Sequence, residues 1–156
     1  MTPLEQLAAH PFFAGFDPAL LAVLEPCVHE RQFGKNEVLM RQNQEIRECH
    51  FVLHGRIMLE TCDTRGVCMP IQTLEGGAVA GLSWLVPPYH SFFDARVLEP
   101  VTTLAVDCQC LRLAMDNNHD FGYKFLKRAV RSVMNRLQAS RLQLAEVYAH
   151  PTEPRR

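Results

Sequence analysis

Hydrophobic and polar residues alternate over short segments through the first two-thirds of the chain, and Gly or Pro residues separate these segments. Breaks of this kind fall at His54-Gly55, at 63–66, at Gly76-Gly77 and at Glu99-Pro100. Many short strands at close spacing predict a mainly β fold with flanking helices, built as a barrel or jelly roll. The predicted strands are 28–33, 37–40, 50–53, 56–62, 67–74, 92–97 and 101–106.

The N-terminal segment has a helical pattern instead. Residues 3–9 predict a short amphipathic helix that ends at His10, because the residue before a proline is disfavoured in the α conformation. Asp17 followed by Pro18 is typical of an N-cap with proline at the first helical position. A second short helix is therefore predicted to run to about Leu24.

The hydrophobic period changes again after the last predicted strand. Asp107 is expected to cap a short helix that reaches about Met115, and Asn118 is expected to cap a much longer one that reaches Tyr148. Apolar residues at alternating spacings of three and four form the seam of a two-helix coiled coil. This pattern predicts homodimerisation, with packing on the chain's own barrel as the alternative. The seam residues are Tyr123, Leu126, Val130, Val133, Leu137, Ser140, Leu144 and Val147.

One irregular stretch, 75–97, lies between two of the predicted strands. It contains Gly76, Gly77 and Gly81 and then Pro87-Pro88, with short apolar runs between them. Long irregular segments in a compact protein often form binding loops. The stretch is interpreted as a binding loop, and a hydrophobic connection that fills the end of a barrel is the alternative.

Composition favours an ordinary globular protein. The chain has 156 residues, of which 47% are hydrophobic and 21% charged, and its net charge is −1. This charge gives no electrostatic case for binding nucleic acid or a membrane. The N-terminus lacks the basic region of a signal peptide, and the apolar run 78–86 is too short for a membrane span. A cytoplasmic location is expected.

Cysteines and cations each leave two interpretations open. In a cytoplasmic chain most of the six cysteines are expected to be reduced, although Cys62 and Cys68 flank a turn and a redox pair there is the alternative.

Six cations lie along the predicted long helix, either as a solvated face or as a contact for an anionic partner. They are Lys124, Lys127, Arg128, Arg131, Arg136 and Arg141.

Several motifs, taken as a set, resemble a known family. They are Phe33-Gly34-Lys35-Asn36-Glu37-Val38-Leu39, then Phe51-Val52-Leu53-His54-Gly55-Arg56-Ile57, and lastly Gly77 and Gly81 with Ala95. The order of elements resembles the cyclic-nucleotide-binding domain of the catabolite-activator and fumarate–nitrate regulator (Crp/Fnr) superfamily, over about residues 10 to 148. The resemblance implies a double-stranded β-helix (jelly roll, cupin-like) followed by a long dimerisation helix.

The resemblance also implies an organisation for the chain. Residues 1–149 are expected to form a single domain, with a helical cap at 1–27, the β-roll at 28–106 and the C-terminal helices at 107–149. Residues 150–156 are expected to be a flexible tail. Family members that control transcription carry a helix-turn-helix domain after the long helix, whereas only this tail follows here. No direct DNA binding is therefore expected.

The family binds a phosphate with the pattern Gly-Glu-Leu, a short helix and then Arg-Ser/Thr-Ala. Here Gly81 is present, but Leu82 occupies the Glu position, Phe93 the Arg position and Asp94 the Ser/Thr position, before Ala95. The missing guanidinium and the added carboxylate predict weak binding of cyclic AMP and cyclic GMP. A working cyclic-nucleotide site is the alternative.

The candidate ligand contacts follow from this alignment. Trp84 and Phe93 would form walls, and Arg96 would share a strand face with Asp94 and not with Phe93. The candidate residues are Gly81, Leu82, Ser83, Trp84, Tyr89, His90, Phe93, Asp94, Ala95 and Arg96.

These observations predict a non-enzymatic regulatory module that binds an unknown small ligand or protein partner. The short segment 107–115 would pass the signal to the dimer helix. No catalytic residue, metal site or certain cofactor is assigned, since no P-loop, Rossmann glycine pattern or Ser-His-Asp order is present. Two alternatives from other classes are a metal-dependent cupin-type enzyme that uses His50, His54 and Glu60, and a haem-based gas sensor.

Overall fold

A computed structural model of the chain describes residues 1–149. The predicted tail, 150–156, lies outside the described residues. The strands are β1 (Val28–Phe33), β2 (Val38–Met40), β3 (Glu48–Cys62), β4 (Cys68–Leu74), β5 (Val79–Ala80) and β6 (Asp94–Asp107). The α-helices are α1 (Pro3–Ala9), α2 (Pro18–Leu21), α3 (Cys108–Asn117) and α4 (His119–Ala149), and 3₁₀ helices cover Pro11–Phe13, Ala22–Cys27 and Leu82–Leu85.

The six strands form one antiparallel sheet. Its main order is β1-β6-β3-β4, with β2 paired to β6 and β5 paired to β3. The sheet curls into a jelly-roll-like β-roll, preceded by the short helices and followed by the long helix α4. The predicted fold class, mainly β with flanking helices, is confirmed.

Two predicted strand ends are wrong. Gly55 and Pro100 were expected to separate strands, yet β3 and β6 each run through these positions. The pairing of β3 with β6 changes register on both sides of Gly55, which has a φ of +98°. A Cβ at Gly55 would lie 2.3 Å from the Pro100 carbonyl oxygen. The glycine therefore permits a bulge that bends the strand without ending it.

Helix starts follow the predicted caps. The Asp17 carboxylate accepts a hydrogen bond from the Ala19 N–H, the Asp107 carboxylate accepts one from Cys110, and the Asn118 side chain accepts one from Phe121. The second helix ends as α-helix at Leu21, earlier than predicted, and continues as a 3₁₀ helix to Cys27.

The core has two parts. One lies between the N-terminal cap, the start of α4 and the outside of the roll, and Phe13, Phe51 and Phe125 are among its buried members. The other fills the roll itself and includes Ile57 and Val97. Helix α4 thus joins the roll through an aromatic cluster.

The expectation that most cysteines are reduced is wrong for four of the six. Disulfides join Cys27 to Cys110 and Cys62 to Cys68, and Cys49 and Cys108 are free and buried. The chain brings the first pair together because the 3₁₀ helix that ends at Cys27 packs on α3, which places the two Cα atoms 5.5 Å apart. The second pair closes the β3–β4 hairpin, as the spacing around its turn suggested.

Candidate ligand site

The irregular stretch between β5 and β6 is anchored to the core at two points. Gly81 turns the chain with a φ of +98°, and a Cβ there would lie 3.3 Å from the Glu48 carbonyl oxygen. The 3₁₀ helix that follows buries Leu82 and Trp84. The Trp84 ring centre lies 6.0 Å from that of Phe125 on α4. This stretch, Gly81 to Phe93, is called the insert below, and it is held against the long helix.

A cavity of about 430 Å³ lies between the insert and α4. Its walls are apolar except for two serine hydroxyls and one arginine. The side chains from the insert include Leu82, Ser83, Leu85, Val86, Ser91, Phe92 and Phe93. Those from α4 are Ala129, Val130, Val133, Met134 and Arg136. A mostly apolar cavity of this size with a few polar groups is typical of a small-molecule site.

Four of the ten predicted contacts line this cavity: Gly81, Leu82, Ser83 and Phe93. Phe93, at the position where the resemblance would put an arginine, also packs against the core of the roll. The remaining six predicted residues do not line the cavity. They are Trp84, Tyr89, His90, Asp94, Ala95 and Arg96.

Alternation along β6 explains the placement of three of them. Ala95 is buried in the core of the roll, while Asp94 and Arg96 project from the opposite face. The Asp94 carboxylate accepts a hydrogen bond of 2.7 Å from the Gln42 N–H. The Arg96 guanidinium donates one of 2.6 Å to the Glu60 carboxylate. Asp94 is therefore not placed to repel an anion in the cavity.

The other three predicted residues that do not line the cavity belong to the insert, and each makes contacts elsewhere. Trp84 is 0% exposed and is a core residue, not a wall of the cavity. The Arg112 guanidinium lies 4.7 Å from the centre of the Tyr89 ring. The His90 backbone bridges to Glu45. All three stabilise the insert against its neighbours.

Arg136 is one of the six helix cations named from the sequence, but its place in this cavity was not predicted. Its guanidinium donates a hydrogen bond of 3.1 Å to the Val79 carbonyl oxygen in β5, and burial lowers its pKa. No carboxylate of residues 1–149 lies within 4.0 Å of it. Its position seven residues after the buried Ala129 places both on the same face of the helix.

The predicted seam of α4 is exposed along its whole length. Phe121, Gly122, Phe125 and Ala129, on another face, bury the start of the helix against the core. Within residues 1–149 nothing covers the seam, and only Val130 and Val133 of it reach the cavity.

The residues of the cupin alternative do not form a ligand set. The buried His50 ring makes a 2.9 Å hydrogen bond with the Thr103 hydroxyl, whereas His54 is exposed. Among residues 1–149, the three potential ligand groups that cluster are Glu60, Cys62 and Cys68. The two cysteines are joined in a disulfide, and Glu60 is paired with Arg96.

None of the helices within residues 1–149 has the length and apolar character needed to cross a membrane.

The family model for the cyclic nucleotide-binding domain matches residues 30–118. A curated relative, the cyclic nucleotide-gated ion channel 2 of Arabidopsis thaliana, is 29% identical in an alignment of 136 residues that covers 78% of this chain. The matched region is 18% of that channel's length.

Solved structures show the same fold. A Geobacter metallireducens protein assigned as a cyclic nucleotide-binding protein is 25% identical, with a TM-score of 0.77 over 88% of this chain and 99% of that one. A cyclic nucleotide-binding domain from Methylobacillus flagellatus has the same TM-score at 14% identity, over 97% of this chain and 83% of that one. The second likeness is one of fold alone.

Proposed function

Because this chain belongs to the cyclic nucleotide-binding domain family, we propose that residues 1–149 form a single, non-enzymatic, ligand-sensing regulatory domain with a repurposed phosphate site. The observation that carries the proposal is the position of the Phe93 side chain. It places an aromatic ring in the wall of the cavity, where the family resemblance would place a phosphate-binding arginine.

Cyclic AMP and cyclic GMP bind weakly in this proposal. A phosphate that enters a cavity with apolar walls loses its hydration, and that loss is compensated only by a paired cation or several hydrogen bonds. Leu82 and Phe93 offer neither from their side chains. The one guanidinium that residues 1–149 contribute to the lining, that of Arg136, belongs to α4 and donates to a carbonyl oxygen of β5 instead of lying at the Phe93 position. Arg96 is held by Glu60 on the far side of β6 and does not substitute for the missing cation.

The cavity also supports a route for the signal. A ligand there would contact the insert on one side and Val130, Val133 and Arg136 of α4 on the other. A ligand shifts the arrangement of two elements only if it binds one arrangement better than another. Simultaneous contact with both elements supplies that difference, so occupation of the cavity is coupled to the position of α4.

The output in this proposal is a homodimer formed along α4. The apolar seam repeats over about seven turns of the helix, and from Leu137 onward it lies beyond the buried residues of α4. Exposed contiguous apolar surface of this kind marks a protein interface, and alternating spacings of three and four fit a second copy of the same helix.

Sedimentation equilibrium tests the dimer. Leu137→Glu with Leu144→Glu places charges in the seam at two positions that do not line the cavity. We expect a dimer for the unmodified chain and dissociation at least a hundredfold more favourable for this variant. Leu113→Glu is the matched control, because Leu113 is 56% exposed on α3 and Leu137 is 57% exposed. If the variant stays dimeric, or if the control dissociates as readily as the variant, the dimer does not form along the seam.

Restoring the missing cation tests the site. In equilibrium dialysis, Phe93→Arg with Asp94→Ser should gain at least tenfold in affinity for cyclic AMP, about the value of one charge-assisted hydrogen bond. Val67→Arg introduces an arginine at an exposed hairpin residue away from the cavity and should gain nothing. Equal affinity in all three proteins would show that Phe93 is not what weakens nucleotide binding.

A further inference from the structure

The cavity between the insert and α4 has a polarity that is specific enough to suggest a ligand class. Arg136 is the single ionisable residue among those that line it, and the other polar side chains are Ser83 and Ser91. The rest of the lining is aliphatic, thioether or aromatic, apart from Gly81. Such a cavity matches a molecule that is apolar over most of its surface and carries one charge.

We propose that the ligand is a small amphipathic anion, an aliphatic or aromatic chain that ends in one carboxylate, with its head paired to Arg136 and its chain in the cavity. This inference rests on the proposed function, since it assigns a ligand class to the same site.

The head-group assignment follows from the hydrogen bonds of Arg136. A guanidinium has five N–H donors in a fork that matches a carboxylate. One hydrogen bond, to the Val79 carbonyl oxygen, is present, and no carboxylate of residues 1–149 lies within 4.0 Å. Half-buried and without a counterion in this part of the chain, Arg136 gains from an incoming anion more than an exposed arginine does.

The chain assignment follows from the walls. About 430 Å³ is within the usual range for small-molecule sites. Leu82, Val86, Phe93, Val130 and Met134 offer apolar surface and few hydrogen-bond partners. A ribose or purine would leave several polar atoms unpaired against these side chains, whereas a hydrocarbon chain gains about three- to fourfold in affinity for each buried methylene.

This ligand would also bridge the two elements that the proposed signal connects. Its head would lie at Arg136 on α4, beside β5, and its chain would contact the 3₁₀ helix of the insert. Binding is therefore expected to hold α4 against the start of the insert.

Calorimetric titration with three probes of similar chain length tests the class. Octanoate, octan-1-ol and octyltrimethylammonium differ mainly in the head, and the alkyl tail of octanoate is one methylene shorter, which works against the order expected here. On the unmodified chain, octanoate should bind at least tenfold more tightly than octan-1-ol, and the cation should not bind. Decanoate should bind about tenfold more tightly than octanoate. These comparisons need no variant and so do not depend on the folding of one.

Variants then test Arg136 directly. Arg136→Gln should weaken octanoate at least tenfold, and Arg136→Lys should retain most of the binding because it keeps the charge. Arg131→Gln is the matched control, since Arg131 is an exposed arginine of the same helix that does not line the cavity. It should leave the affinity unchanged.

The outcomes separate this inference from the proposed function. Equal affinities for octanoate and octan-1-ol, or equal losses of octanoate affinity in Arg136→Gln and Arg131→Gln, overturn the proposal that an anionic head group pairs with Arg136. Absence of binding by all alkyl probes overturns the ligand class but leaves the repurposed site. Micromolar binding of cyclic AMP to the unmodified chain overturns the proposed function itself.

Discussion

Gly55 offers the sharpest test of how the two long strands are built. In Gly55→Ala the new Cβ would lie 2.3 Å from the Pro100 carbonyl oxygen and 2.6 Å from the Val101 Cα. Both are backbone atoms, so the contact is relieved only if β3 and β6 move apart. The substitution also forces a residue with a Cβ to keep a φ of +98°.

Gly66→Ala separates these two costs. Gly66 has a φ of +84°, and a Cβ there has no heavy atom within 4 Å. Gly66→Ala should therefore lower the free energy of unfolding only by the cost of holding a residue with a Cβ at positive φ, about 1 kcal/mol. Overpacking adds about 1–3 kcal/mol, so Gly55→Ala should lower the free energy of unfolding by about 2–4 kcal/mol in total.

Urea denaturation followed by tryptophan fluorescence measures both variants. Trp84 is the single tryptophan and is fully buried, so its emission reports the folded core. Equal losses of stability in the two variants would refute the close approach of the strands at Gly55 and would leave only the backbone conformation to explain the glycine.

Three further predictions concern stability. Burial lowers the pKa of His50 to about 4 from its ordinary 6.5, so the unfolded chain takes up a proton between these values that the folded chain does not. The free energy of unfolding should thus fall as the pH drops below about 6.5, by about 2 kcal/mol at pH 5, and His50→Gln should flatten this dependence in urea titrations; an unchanged slope contradicts the assignment. Cys110→Ala opens a disulfide that spans 83 residues of sequence, and it should cost about 4.5 kcal/mol by the chain-entropy estimate; equal urea midpoints for the variant and the oxidised protein contradict this. Arg128 donates hydrogen bonds to the carbonyl oxygens of Phe12 and Ala14, so Arg128→Ala should speed hydrogen exchange in the N-terminal cap, and unchanged exchange there would show that the tether is not needed.

The fold was predictable from local signals because they agree with one another. Helix caps at Asp17, Asp107 and Asn118 are set by side chains that accept hydrogen bonds from neighbouring N–H groups, which is a short-range effect. The strand ends at Gly55 and Pro100 were not predictable, because the same residues that end strands also occur in bulges. Only the pairing of β3 with β6 decides between the two.

The candidate site was predictable only in part. Strand alternation correctly separates Arg96 from Phe93, since successive side chains point to opposite faces. The contribution of α4 depends on how a helix distant in sequence packs against the insert. Arg136 and Met134 therefore enter the cavity by tertiary packing, which a local pattern does not contain. The Cys27–Cys110 pairing escaped prediction for the same reason.

The most direct test of the account is a calorimetric titration of cyclic AMP and of cyclic GMP into the unmodified protein. With Phe93 in the wall of the cavity and no side-chain cation from the insert, we predict no saturable heat at nucleotide concentrations up to about 1 mM, a limit that corresponds to about −4 kcal/mol of binding free energy. Saturable binding with a dissociation constant in the micromolar range or below would contradict the account and would identify an ordinary cyclic-nucleotide sensor.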